Sequence, residues 1–241
     1  MKATVLGRNG FIGRELYSRL RLERYTVYSY LRPDVDIVFA FNSPSSQILF
    51  QHAPDYCLKE TVQGFQNVLD FCSKYKIKLI YPSTVSHSNL YADVKRTLED
   101  VQWNHWYKNV LGVRISAGYG LGEFHKGEYA SVVYQFIEQM KEGKRPVIFG
   151  DGKQTRDFIY IDDIVDGIME NLDRKGLITL STEVNTSFND LVKIINKQLK
   201  KRIRPIYIEK PKQYLQNTPV ESDYKCKVSL EKGIERLVLC T

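Results

Sequence analysis

The chain has 241 residues, 43% of them hydrophobic and 26% charged, with 35 basic against 28 acidic side chains and a net charge of +7. That is length enough to bury a proper core and the composition of a soluble globular protein; no apolar run approaches the ~20 residues of a membrane-spanning helix, and no signal-peptide layout opens the chain, so a cytoplasmic protein without a membrane partner is expected. The positive charge favours anionic partners in general, nucleotide phosphates as well as nucleic acid, but no long basic run interleaved with aromatics favours nucleic acid, and none is expected.

Met1 to Leu6 reads as a short buried strand, followed by the turn Gly7-Arg8-Asn9-Gly10-Phe11-Ile12-Gly13 and an amphipathic stretch through Leu22. Strand, glycine turn and helix in that order form the start of a dinucleotide fold. Its glycines permit a tight turn, close backbone approach to a pyrophosphate and close packing of helix on sheet, with the helix amino terminus facing the phosphates. Residues 7 to 13 are therefore candidate cofactor contacts. Tyr25 to Tyr30 reads as a second strand, yet only Leu31 to Val35 separate it from the apolar run Asp36 to Phe41. Parallel neighbours normally need a crossover of a dozen residues or more, and a linker of about six spans at most roughly 20 Å. The second strand is expected to be very short or irregular and the adenine side of the pocket open. No acidic residue ends that strand to take a ribose 2′-hydroxyl. Ser29, Arg32 and Arg8 suit a 2′-phosphate instead, which tilts the cofactor toward NADP, with NAD as the alternative.

The loop Phe41-Asn42-Ser43-Pro44-Ser45-Ser46 comes next, then a helix from Asp55 to Tyr75 with Val62, Phe65, Leu69 and Cys72 at helical spacing. Gly64 inside it costs about 1 kcal/mol against alanine, so a close packing contact is expected there. The four cysteines, Cys57, Cys72, Cys226 and Cys240, are scattered without the paired spacing of zinc sites, and free buried thiols are expected.

Ile77 to Tyr81 reads as the strand leading to Ser83-Thr84, and Tyr91 to Tyr107 as the helix after it. Tyr91 and Lys95 lie four apart and share a helix face. A tyrosine that moves protons at neutral pH needs its pKa lowered by roughly 3 units, or about 4 kcal/mol. An ammonium one turn away supplies part of that, a bound cationic cofactor more, and Thr84 is placed to hold a substrate oxygen. His87, in between, is a candidate auxiliary acid or base, and Trp103 and Trp106 belong either to the core or to a partner subunit. By itself the Tyr-x-x-x-Lys pattern is also that of an ordinary amphipathic helix.

Val110 to Ile115 follows as a buried strand, Gly118 to Gly122 as a glycine-rich turn, Tyr129 to Glu142 as a helix and Arg145 to Gly150 as a short strand. The string from Gly150 to Ile164, GDGKQTRDFIYIDDI, is the most specific in the chain. The last third alternates again: an apolar run at Leu177 to Leu180, a helix from Phe188 to Leu199 capped near Ser187, a strand at Pro205 to Ile208 and a helix from Leu230 to Leu237. Lys200, Lys201, Arg202 and Arg204 read as a solvated basic cluster.

The G-x-x-G-x-x-G turn with its GFIG ending, then Thr84/Tyr91/Lys95, then the Arg156 string resemble, in order and over almost the whole chain, the extended short-chain dehydrogenase/reductases that modify nucleotide sugars. The string resembles, nearly residue for residue, that family's G-D-G-x-x-x-R-D-F-I-x-V-D-D signature. The resemblance implies an α/β fold: a Rossmann-like doubly wound parallel sheet over residues 1–175, with 116–150 partly contributing to a small C-terminal α/β substrate lobe at 176–241. It implies hydride transfer between a nicotinamide and a sugar carbon, with Tyr91 giving or taking the hydroxyl proton and Lys95 bonding the nicotinamide ribose. Ser83 and Thr84 would meet the substrate, Arg156 the diphosphate of a nucleotide-diphosphate sugar, and Phe41, Asn42 and Ser43 the nicotinamide half of the cofactor. Asp162 and Asp163 would cap a helix from Ile164 to Leu172, and the two long helices would form a homodimer interface.

Within that family, Val85-Ser86 stand where 4,6-dehydratases carry an Asp-Glu pair, which disfavours elimination, and Ala117 stands where many epimerases carry asparagine. Arg32-Pro33-Asp34 resembles 4-keto-sugar reductases. The expectation is an NAD(P)-dependent 4-keto-sugar reductase, with a 4-epimerase as alternative and a catalytically inactive nucleotide- or RNA-binding relative as the second. Only six residues separate Thr84 from Tyr91, fewer than in extended relatives, so the pocket there should be shallow and the two hydroxyls should converge.

Overall fold

A computed structural model of the chain describes residues 1–86, 89–210 and 221–240. From the amino terminus come β1 (Lys2–Leu6), α1 (Phe11–Leu22), β2 (Thr26–Tyr28), β3 (Ile37–Ala40), α2 (Gln47–His52), α3 (Pro54–Leu58), α4 (Gly64–Tyr75), β4 (Lys78–Thr84), α5 (Leu90–Asn104) and β5 (Val110–Ile115). Then follow β6 (Ala117–Tyr119), α6 (Val132–Lys141), β7 (Val147–Phe149), β8 (Thr155–Tyr160), α7 (Ile161–Met169), β9 (Gly176–Leu180), β10 (Asn185–Ser187), α8 (Phe188–Leu199), β11 (Ile206–Ile208) and α9 (Leu230–Cys240).

The chain forms two compact units, residues 1–115 with 164–179, and residues 116–163 with 180–241. This differs from a division at residue 175. All of 116–163 belongs to the second unit, and β9, expected to open the small lobe, is a strand of the first sheet. An apolar run five residues long cannot announce which sheet it will join; only the neighbouring strand decides that.

The first unit is built on a six-stranded sheet in the order β2-β1-β3-β4-β5-β9. β1 pairs in parallel with β2 and β3, β3 with β4, and β4 with β5, in a register that sets Leu6 beside Ala40 and Thr84 beside Ile115. Every residue of β3 is buried, as expected of a parallel strand covered on both faces. The second strand has only three residues and lies at the sheet edge, as its short linker required.

The long helix expected from Asp55 to Tyr75 is interrupted: α3 runs into a π-type turn, Lys59–Gln63, before α4 continues. Gly64, at the restart, does not make the close contact expected of it. A Cβ added there would meet nothing within 4 Å. Of the cysteines, Cys57 and Cys72 are buried, Cys226 is half-buried and Cys240 exposed, all as free thiols. Burial pushes the Cys72 thiol up to about 12.

The second unit holds a three-stranded sheet, β10-β8-β6, and a two-stranded one, β11-β7. The Arg156 string is the central strand β8, antiparallel to β10 and parallel to β6. The stretch expected as a glycine turn thus begins with a strand, β6. The helix expected from Tyr129 starts at Val132, because Tyr129 closes a 3₁₀ turn, Phe124–Tyr129.

Asp162 and Asp163 are not caps outside a helix; they lie in the first turn of α7, which begins at Ile161. Asp163 is buried and accepts from the backbone N–H groups of Lys227 (2.8 Å) and Val228 (2.9 Å), and Asp162 pairs with Arg236 at 2.8 Å. Their carboxylates therefore tether the carboxy-terminal segment. Among the described residues no helix is long and apolar enough to cross a membrane, and no group of three or more His, Cys, Asp or Glu is placed to hold a metal.

Candidate active site

The glycine turn joins β1 to α1. Gly7 has φ +78°, and a Cβ on it would lie 2.3 Å from the Phe41 carbonyl oxygen, so the turn presses directly on the loop after β3. A Cβ on Gly13 would lie 2.2 Å from the Gly7 oxygen. The turn is therefore folded flat against both the helix and the neighbouring loop. Gly10 occupies the N-cap of α1 without a side-chain bond, and the first turn carries no acidic residue. That leaves an electropositive helix start suited to a pyrophosphate, and the residues present fit a dinucleotide.

Arg8 and Asn9 are exposed on this turn, with the Arg8 guanidinium 5.8 Å from the Tyr17 ring. Arg32 is engaged elsewhere. Its guanidinium lies 4.4 Å over the Tyr28 ring and donates to Asp34 at 2.7 and 3.1 Å. Asp34 also holds Lys2, the first residue of β1, which draws the group away from the carboxyl end of the strand, where the glycine turn begins.

Thr84 ends β4 and Tyr91 lies in the first turn of α5, whose N-cap Asn89 accepts from Ala92 N–H at 2.9 Å. The Thr84 hydroxyl lies beside the Tyr91 phenol and acts to lower its pKa. Thr84 Oγ1 accepts from the Ser86 N–H at 3.1 Å, which leaves its own O–H to donate to the tyrosine oxygen, the direction that favours a phenolate. Burial outweighs it and pushes Tyr91 up to about 12.

The Tyr91 ring packs edge-on against Phe50 of α2, centroids 5.4 Å apart, and the Lys95 ammonium lies 5.9 Å from its centroid. Lys95 is 1% exposed and donates to Ser43 Oγ at 2.5 Å. Burial brings it down to about 7, partly offset by the nearby Cys57 thiol. Contacts thus run from Gly13 and Gly7 through Phe41 and Ser43 to Lys95, Tyr91 and Thr84.

Ser83 does not share that line. Its hydroxyl donates to Glu99, a buried carboxylate that also takes two bonds from Arg114 of β5. One turn further, Gln102 accepts from the Tyr81 hydroxyl at 2.6 Å and donates to the Gly176 oxygen at 3.0 Å. Tyr91, Lys95, Glu99 and Gln102 therefore form one inward polar stripe on α5. Only its first two members were recognised from sequence, because charged residues at helical spacing usually mark the solvated face.

Arg156 stands on β8 of the second unit, where its guanidinium donates to the Thr155 oxygen at 2.7 Å and lies 5.5 Å from the Phe188 ring. Its neighbour Asp157 accepts from Ser116 Oγ and from the N–H groups of Thr182 and Val184. His87 lies outside the described residues.

Residues 28–179 match the NAD dependent epimerase/dehydratase family. Over 145 residues the chain is 37% identical to a putative UDP-glucose 4-epimerase of Methanocaldococcus jannaschii, an alignment covering 55% of this chain and 47% of that one. It is 29% identical over 174 residues to the ADP-L-glycero-D-manno-heptose-6-epimerase of Brachyspira hyodysenteriae, covering 60% and 54%. The chain thus spans about half the length of these curated relatives. The UDP-glucose 4-epimerase of Thermotoga maritima, solved with UDP-glucose, shares the fold at a TM-score of 0.90 and 21% identity, over 99% of this chain and 98% of that one. The Thermus thermophilus UDP-glucose 4-epimerase, solved with NAD, does so at a TM-score of 0.85 and 16% identity, over the same shares of each chain.

Proposed function

Because the chain belongs to the NAD dependent epimerase/dehydratase family, we propose that it catalyses NAD(P)-dependent oxidation and reduction at a carbon of a nucleotide-linked sugar. The observation that carries this reading is the contact line from the glycine turn through Ser43 and Lys95 to Tyr91 and the Thr84 hydroxyl beside it. Bound at that turn, a nicotinamide cofactor supplies the hydride acceptor or donor. Tyr91 takes the proton of the sugar hydroxyl on oxidation and returns it on reduction. Thr84 orients the same oxygen, and the Lys95 ammonium offsets negative charge as it develops on Tyr91.

Gly7, Gly10 and Gly13 would hold the pyrophosphate through backbone and helix dipole. Arg8, exposed on that turn while Arg32 is paired with Asp34, supports NADP over NAD. In the second unit, Arg156 is the residue for the substrate's diphosphate.

Of the two sugar reactions, reversible epimerisation now stands ahead of net reduction, since the relatives similar to this chain include proteins named 4- and 6-epimerases. The two differ in cofactor balance. We expect micromolar binding of NADPH or NADH, then interconversion of UDP- or ADP-sugars with no net loss of absorbance at the nicotinamide band. Stoichiometric consumption of NADPH would make the protein a keto-sugar reductase. No affinity for either dinucleotide would remove the enzymatic reading and leave a nucleotide- or RNA-binding protein on the same fold. A second copy of the chain is the partner we propose for the face carrying Trp103 and Trp106, each 73% exposed.

A further inference from the structure

Lys95 is almost wholly buried, and among the described residues the one side-chain oxygen that accepts a hydrogen bond from its ammonium is Ser43 Oγ. An ammonium has three N–H donors and loses much hydration on burial, so a sole acceptor carries unusual weight. Among the described residues, the titratable groups facing it are the Cys57 thiol from α3 and the Tyr91 phenol from its own helix, while Glu60 lines the same small cavity as Ser43. Of these groups none accepts a hydrogen bond from it. Ser43 itself stands in the loop after β3, two residues beyond the carbonyl that presses on Gly7.

We propose that Ser43 is a positioning residue for Lys95, its hydroxyl oxygen fixing and stabilising the ammonium one helical turn from Tyr91 and so coupling the loop after β3 to proton transfer. This rests on the reading of Tyr91 and Lys95 as the proton-transfer pair, and it moves Ser43 from cofactor contact to support for that pair. Near neutral pH the coupling is sensitive, because Lys95 is brought down to about 7. A modest loss of stabilisation there changes its charge.

The test is an NMR titration of the ligand-free, full-length protein carrying ¹³Cε-lysine, the Lys95 signal assigned by its absence in Lys95→Arg. Ser43→Ala should move the Lys95 midpoint down by about one pH unit, the size expected when a hydrogen bond to a charged group is lost. Ser43→Thr should restore it. Ser43→Cys, which keeps the volume with a poorer acceptor, serves if the alanine variant does not fold. Activity that needs protonated Lys95 falls as pH rises through its midpoint, so the alkaline limb of kcat should move down by the same amount. An unchanged midpoint in folded Ser43→Ala overturns the inference whatever the activity. A shifted midpoint with an unmoved alkaline limb overturns the coupling to proton transfer. A shifted midpoint in a protein that turns over no nucleotide sugar upholds the Ser43–Lys95 contact and defeats the enzymatic reading instead.

Discussion

Burial sets Tyr91 and Lys95 against the charges that the proposed proton transfer asks for. The phenol is pushed up to about 12 and the ammonium brought down to about 7, so each favours its neutral form before any ligand arrives. The cost has a pH signature. Between about pH 7 and 10.5 the unfolded chain holds a proton on Lys95 that the folded chain has shed, so stability rises with pH across that window, and the full penalty for burying the ammonium is felt below it. Replacing Lys95 by methionine removes this dependence. Urea unfolding at pH 7 and pH 9 should show the wild type gaining about 2 kcal/mol relative to Lys95→Met. Lys78, brought down to about 8 by burial, contributes equally to both proteins and cancels, and Tyr91 acts only above about pH 10. Equal gains would mean that Lys95 keeps its charge in the folded state. The Tyr91–Lys95 spacing was legible in the sequence; the Ser43 acceptor, 52 residues away, was not.

On α5, two kinds of sequence signal meet. Asn89 caps the helix and Tyr91 to Gln102 gives it one inward face, but that face is polar, so hydrophobic periodicity undervalues it. Its side chains are satisfied by other elements, β4, β5, β9 and the loop after β3, and this condition exists only once the sheet has formed. The glycines separate in the same way. Gly64 has helical backbone angles and open space around a prospective Cβ, so Gly64→Ala should stabilise the protein by about 1 kcal/mol in urea unfolding. Gly13→Ala forces a methyl group onto the Gly7 carbonyl and should cost about 2 kcal/mol or more, with loss of dinucleotide binding. A stabilised Gly13 variant would mean that the turn yields freely, and a destabilised Gly64 variant that something fills the space beside α4.

At the scale of the whole molecule, the chain passes from the first unit to the second, back through α7 and β9, and out again. Its apolar surface is not all consumed by this. Trp103 and Trp106 lie in and just after the last turn of α5, too exposed to be core, and Tyr75 ends α4 at 41% exposure. If they face a second copy of the chain, sedimentation velocity should give a dimer for the wild type and a monomer for the double variant Trp103→Glu/Trp106→Glu. The variant's stability per chain should otherwise change by no more than about 0.5 kcal/mol beyond what dissociation itself costs. A wild type that sediments as a monomer at micromolar concentration would discard the interface.

By itself, the sequence determined the order of strand, glycine turn and helix at the amino terminus, the brevity of β2, the strand ending at Thr84, and the face shared by Tyr91 and Lys95. All of these follow from local rules: steric freedom at glycine, the reach of a short linker, and the period of a helix. Only the tertiary structure decided that β9 completes the first sheet, that Arg32 belongs to Asp34, that Asp162 and Asp163 tether the carboxy-terminal segment, and that Ser83 serves Glu99 while Ser43 serves Lys95. Each of those joins residues far apart in the chain or chooses among equally plausible polar partners. Such choices are settled by which groups burial leaves in need of a hydrogen bond, a condition that does not exist until the elements have packed.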